Sequence, residues 1–365
     1  MANLYVFHHG FGMNGELWYS VFDLDSSTWS PDRQVPNVGL SGSPSAVVYP
    51  GRGIYVFHQG LANFSGPFDK AGSGGARPDG GRALLQDGQL WYSFFDGTNW
   101  QPDTLVPNVG ISEEPSAVVF PGGGMSVFHR GDDVRGTLWY SFFDGTNWQP
   151  DTLVPNVRLT YAPSAVVFPD GGVSVFHEGN ADDGQLWYSF FDGTNWQPDT
   201  QVPNVGMSYA PSAVVFPDGS VSVFHQGNAD DEQLWYSFFD GINSTWQPDT
   251  QVPNVGMSYG PSAVVFPDGS VSVFHQGSNN SGQLWYSFFD GTNWQPDTFV
   301  PNVGLSTWPG AVLLPDGRSI SVFHDGFENS QELWYSFFDG TNSTWQPDTL
   351  VPNVGISYGP SAVIF

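Results

Sequence analysis

The chain repeats itself, and no other property restricts its fold so strongly. Leu-Trp-Tyr-Ser begins at positions 17, 90, 138, 186, 234, 284 and 333, about 48 to 50 residues apart except for one gap of 73. Other landmarks keep step: Val-Phe-His ends at His8, His58, His129, His177, His225, His275 and His324, and Val-Pro-Asn-Val starts at 35, 106, 154, 202, 252, 300 and 351. A run like Pro-Ser-Ala-Val-Val starts at 44, 115, 163, 211, 261, 309 (as Pro-Gly-Ala-Val-Leu) and 360. Repetition at this period means an array of one supersecondary unit, each burying its neighbour's apolar face.

Each unit reads as four strands, "PSAVVF", "VSVFH", "QLWYSFF" and "WQPDTQV", all alternating or rich in β-branched residues. "PDG" and "DGTN" supply residues that tolerate positive φ in tight turns, and "VPNVG" is expected to end the fourth strand. Four antiparallel strands at this period are the signature of a β-propeller blade. The small first strand suits the crowded axis, whereas Trp, Tyr and Phe collect where blades splay apart. The sequence starts at a second strand, "LYVFHHG", and stops after a lone first strand, "PSAVIF". The expectation is therefore an all-β, seven-bladed β-propeller of four-stranded antiparallel blades, one domain over 1–365, its ring closed by the C-terminal strand joining the three N-terminal strands. A helical solenoid is disfavoured because no unit resembles a cap.

Composition narrows the function. Charged residues make up only 12% of the chain, beside 45 Gly and 29 Pro, which suits short strands and turns. The net charge of −27, with Lys70 the single lysine, argues against nucleic acid and anionic membranes as partners. With no cysteine, disulfides, thiolate metal sites and cysteine nucleophiles are excluded. No signal peptide or membrane span is legible, so cytoplasmic synthesis without membrane insertion is expected, with any release by a non-classical route. The sequons at Asn63, Asn243, Asn279 and Asn342 are expected to be unmodified.

Alternate turns of an antiparallel blade lie on opposite faces. The "PDG" and "DGTN" turns share one face and hardly vary. The loop between strands 2 and 3 shares the other with the crossover to the next blade, and that loop varies, as functional loops do. His225 and Trp235 frame it as cross-strand neighbours. The pairs His8/Trp18, His177/Trp187, His275/Trp285 and His324/Trp334 do the same, and the crossovers bring in Tyr161, Tyr209, Tyr259, Trp308 and Tyr358. With the loop residues Asp183, Gln226, Asn228, Asp231 and Gln276, these form the candidate ligand set. A flat ring beside imidazole, carboxylate and amide groups suits a neutral, hydroxyl-rich ligand. For each His the alternative stands open that it bonds the backbone of its own loop, and each Trp of "LWYS" is equally a candidate for inter-blade core. Gly42/Ser43 and Glu113/Glu114 replace the crossover aromatic in two units. Loop acids such as Asp182, Asp183, Asp230 and Asp231 lack the even oxygen spacing of a calcium loop, so no metal or other cofactor is expected. The 25-residue excess, within 61–88, carries Lys70, Arg77 and Arg82 and is expected to remodel or block the His58/Trp91 site.

"SFFDGTNW" resembles the Asp box of sialidase propellers, a turn brace that implies fold and not activity. Sialidase chemistry needs clustered arginines, and Arg33, Arg52, Arg77, Arg82, Arg130, Arg135, Arg158 and Arg318 share no register. With "VFHQG", "LWYSFFDG", "QPDT" and "PSAVV" together, the whole chain resembles the mushroom β-propeller lectins specific for terminal N-acetylglucosamine. The resemblance implies a non-enzymatic lectin with several pockets per chain, binding glycans and glycoproteins that end in N-acetylglucosamine. It is carried over only onto the blades of His177, His225 and His275, then His8 and His324. A protein-interaction scaffold and a glycosidase are the alternatives. The first predicts loops without shared polar chemistry and the second a single pocket with unique carboxylates. Oligomeric state is not legible.

Overall fold

The computed structural model describes the chain apart from residues 1, 11–14, 62–85, 134, 181–183, 229–230 and 328–329. Its named elements are all β-strands. The unit around His177 shows the plan. Ser164–Val167, Val173–Glu178, Gln185–Phe191 and Thr200–Gly206 pair antiparallel in that order. Val175 faces Ala165 on one side and Ser189 on the other. The second strand is buried along its whole length, because strands flank it within the sheet and neighbouring units cover both faces. That position explains the nearly unbroken apolar spelling "VSVFH".

The small first strands form the inner wall. Each touches the first strands of the units before and after it, and the series closes through Ser361–Ile364, which touches both Ser45–Tyr49 and Gly310–Leu313. Serine hydroxyls stitch the inner wall: the backbone N–H of Ala165 donates to Ser116 Oγ at 3.0 Å and that of Ala213 to Ser164 Oγ at 3.1 Å. Equivalent bonds join Ala46 to Ser361, Ala117 to Ser45, Ala263 to Ser212 and Ala311 to Ser262. At the one remaining junction the preceding unit carries Gly310, which has no hydroxyl to offer Ala362. The expected terminal pairing is present: Leu4 stands opposite Ile364, and Asn3 N–H donates to the Phe365 carbonyl at 2.7 Å.

Between units the tryptophan of "TNW" or "STW" acts as a wedge. Trp196 meets Phe128 of the preceding unit nearly edge-on, centroids 5.9 Å apart at 84°, and Tyr140 at 5.5 Å. Trp148 does the same on Phe57 and Tyr92, and Trp29 on Phe323 and Tyr335, so the wedge also spans the chain ends. Edge-to-face packing adds to the area that these rings bury.

The fourth strand differs from expectation. "VPNVG" does not end it; the strand runs through that segment, as in Thr200–Gly206. Proline is tolerated there because the strand is outermost, and the following asparagine, at φ between 58 and 64° in every unit, makes the bulge that shifts the register between Gln185 and Trp187. In one place, Thr250–Val265, the outer strand continues without a break into the next inner strand, so two units share one eight-stranded sheet.

Replacing Trp148 by Ala removes a wedge at the junction of the His58 and His129 units. Urea unfolding is expected to show a loss of about 2–3 kcal/mol, below the value for a fully buried aromatic because the indole is only partly buried.

Candidate functional site

The histidines are not surface contacts. His8, His58, His129, His177, His225, His275 and His324 are all fully buried. In every unit the imidazole Nε2 lies 3.2 Å from an aspartate Oδ1, His225 to Asp249 for example, and a third-strand serine, here Ser237, donates to the same oxygen at 2.8 Å. The aspartate belongs to "QPDT" (Asp32 in the first unit), so the network pins the outer strand to the two central ones. This corrects the ligand assignment of His8, His177, His225, His275 and His324: they stand opposite Trp18, Trp187, Trp235, Trp285 and Trp334 as expected, but below the surface. The aspartates were missed as partners, although their recurrence 22 or 24 residues after His in all but the expanded second unit is visible in the sequence.

Gln226 and Gln276 are also corrected. Both are buried, and their amides donate to the Met257 and Leu305 carbonyls at 3.0 and 2.9 Å, tying the second strand to the following crossover. Asn228 packs against Gly206 of the preceding unit, where a Cβ would come within 2.8 Å of it. Asp183 lies outside the described residues. Asp231 does meet Trp235, accepting its indole N–H at 2.8 Å. A hollow of about 300 Å³ opens on this loop face beside Trp139, bordered by Asn108, Gly131 and Asp132. Tyr161 and Tyr209 are exposed, whereas Tyr358 packs edge-on against buried His9. Trp308 sits one position later in its crossover than these tyrosines and lies over Gly359.

The larger hollows open on the other face, between adjacent units, where the sequence reading expected only folding constraints. One of about 610 Å³ separates the His177 and His225 units. Alternation in the paired strands puts Ser174, Phe176, Tyr188 and Phe190 on one wall; the next unit supplies Val221, Phe239 and Trp246. Asp170 and Asp218, from successive "PDG" turns, stand at its lining, each with one carboxylate oxygen holding its own turn. A like cleft of about 830 Å³ lies between the His129 and His177 units, with Ser126, Tyr140 and Trp196 in equivalent places. A third, about 680 Å³, lies between the His275 and His324 units and adds Arg318. No basic side chain lines the first two. Such clefts offer aromatic faces for C–H surfaces and carboxylate and hydroxyl groups for directed hydrogen bonds. These walls escaped sequence reasoning because each is built from two units.

No family model and no curated protein matches the chain. Solved structures resemble it in fold. AofleA from Arthrobotrys oligospora superposes with a TM-score of 0.57 at 12% identity over 90% of both chains. Aleuria aurantia lectin, described as a six-bladed β-propeller with a fucose recognition mode, gives 0.55 at 15% identity over 88% of this chain and 99% of its own. SapL1 lectin, solved with a methyl fucoside, gives 0.54 at 14% over 87% and 99%. The chain has the β-propeller fold.

At the loop face, burial and the neighbouring charge of Glu114 push the Glu113 carboxyl up to about 7, against the opposing pull of Arg130. The folded protein holds this proton to higher pH than the unfolded chain does, so the stability tied to it is lost as pH rises from about 4.5 to about 7. Glu113→Gln is expected to raise Tm at pH 8 and leave it nearly unchanged at pH 4.5, as read by thermal melts at both values.

Proposed function

We propose that the protein is a multivalent lectin, a seven-bladed propeller whose inter-unit clefts hold terminal N-acetylglucosamine. The observation that carries the reading is the recurrence of one cleft, with an indole, a tyrosine and phenylalanines as walls and Ser and Asp as polar groups. The closed series of inner-strand contacts, with one repeat per contact, supports seven blades. Aromatic walls cover the apolar face of a pyranose and the acetamido methyl; Asp170, Asp218 and Ser174 are placed to accept or donate to hydroxyls. The absence of basic side chains from two of the clefts favours a neutral ligand over an anionic sugar. Structures of similar fold come from lectins solved with fucosides, which supports glycan binding as the general activity. Specificity for N-acetylglucosamine rests on the resemblance of the repeats. Each cleft alone binds weakly, and several on one rigid ring gain about 10²–10⁴ in avidity on a glycan-dense surface. A repeated site of this kind has no single pair of carboxylates set apart for catalysis, which favours binding over hydrolysis.

Isothermal titration with N-acetylglucosamine, fucose and galactose tests the reading. Several weak sites per chain for N-acetylglucosamine are expected. Asp218→Ala is expected to weaken the cleft between the His177 and His225 units by about tenfold or more, the worth of a hydrogen bond to a charged group. Binding of fucose alone would replace the sugar assignment, and silence toward all three would remove the lectin reading.

A further inference from the structure

Near-identical crossover segments adopt two backbone states. At five crossovers a hydroxyl, from Ser41, Ser112, Thr160, Ser306 or Ser357, donates to the carbonyl of the glycine at or just beyond the end of the second strand. At Ser208 and Ser258 no such bond forms among the described residues, although Ser258-Tyr-Gly-Pro repeats Ser357-Tyr-Gly-Pro letter for letter. There the crossover is extended instead, with Ser208 opposite Gln226 and Ser258 opposite Gln276.

The second state is costly in two independent ways. Tyr209 and Tyr259 are each held at φ 65°, in the left-handed region that a bulky side chain avoids. Beneath them the Oε1 atoms of Gln226 and Gln276, on side chains 4% and 2% exposed, have no hydrogen-bond partner among the described residues. The equivalent oxygen of Gln59 accepts from Ser41. Strain and an unpartnered buried acceptor recurring together are features that persist where a function requires them. What the second state achieves is visible beside it: Tyr161, Tyr209 and Tyr259 form a continuous arc, with successive ring centroids 5.7 and 5.9 Å apart.

We infer that this arc is a second glycan site, on the face opposite the clefts, taking an extended run of two or three β-linked sugar rings. The inference rests on the lectin reading but not on its clefts. The arc consists of aromatic rings with hydroxyl edges, and the other exposed large apolar side chains, Leu153, Ile242 and Phe327, lie on an outer strand, an opposite-face turn and a different loop. A row of tilted aromatic faces, with no other exposed large apolar side chain beside it among the described residues, suits successive C–H faces of a sugar chain better than the continuous apolar centre of a protein interface. The clefts are separated hollows for single terminal residues; the arc is continuous, exposed at Tyr161 and Tyr209 and half-buried at Tyr259.

Isothermal titration with N-acetylglucosamine, N,N′,N″-triacetylchitotriose and cellotriose tests this on the full chain and on the double variant Tyr209→Asn/Tyr259→Asn, asparagine being at ease at this φ. The trisaccharides are expected to show one additional site per chain, at least tenfold tighter than any site for the monosaccharide. The double variant is expected to lose that site, keep the monosaccharide sites, and melt no lower than the parent because the strain is relieved. Trisaccharides that occupy only the monosaccharide sites, or an additional site unchanged in the variant, would overturn the arc while leaving the clefts standing. Trisaccharide binding without monosaccharide binding would support the arc and overturn the clefts. Silence toward every sugar would overturn both.

Discussion

One buried hydrogen-bond triangle, repeated in every unit, underlies the architecture. Aspartate Oδ1 receives a serine hydroxyl from the third strand and faces the imidazole of the second, so the outer strand, whose ladder to the third is interrupted here, is held in register with the two central strands by side chains. The fourth strand needs this help. Its proline donates no N–H, its asparagine bulges, and its pairing with the third strand slips by the bulge. Removing any member would strand a buried polar group, which costs more than the bond itself contributes. With the outer strand fixed, the tryptophan that precedes it is fixed too, and with it the wedge against the neighbouring unit.

Much of this was legible. The period, the four strands of each unit, the taper and the terminal pairing all follow from where small, aromatic and turn residues recur, because each unit repeats the same local solution. The histidines were misread for a physical reason: a polar residue at the end of a strand looks like a loop flank when its partner is far away in sequence. Only the fold reveals that "VFH" and "QPDT" converge. Asp231, by contrast, lies near Trp235 in both sequence and space and accepts its indole N–H.

The inter-unit clefts were hidden in a different way. Their walls are the least variable parts of the repeat, and invariance among repeats looks the same whether it serves packing or a repeated site. Ser174 and Tyr188 face one way and Val221 and Trp246 the other, so no single unit spells out a pocket. The crossover tyrosines show a further limit: identical tetrapeptides adopt different conformations at 258–261 and 357–360, a choice made by the surrounding packing and not by local propensity.

The missing hydroxyl at Gly310 gives the ring a seam. Six inner junctions carry a serine bond, and the one without it lies next to the strand on which closure depends, so one side of the terminal strand is tied to its neighbour and the other is not. A closed ring has no natural place to begin coming apart. This one does, and breathing, amide exchange and protease access at the axis should start there, with Ser361–Ile364 peeling from the Gly310 side while its bond to Ala46 still holds.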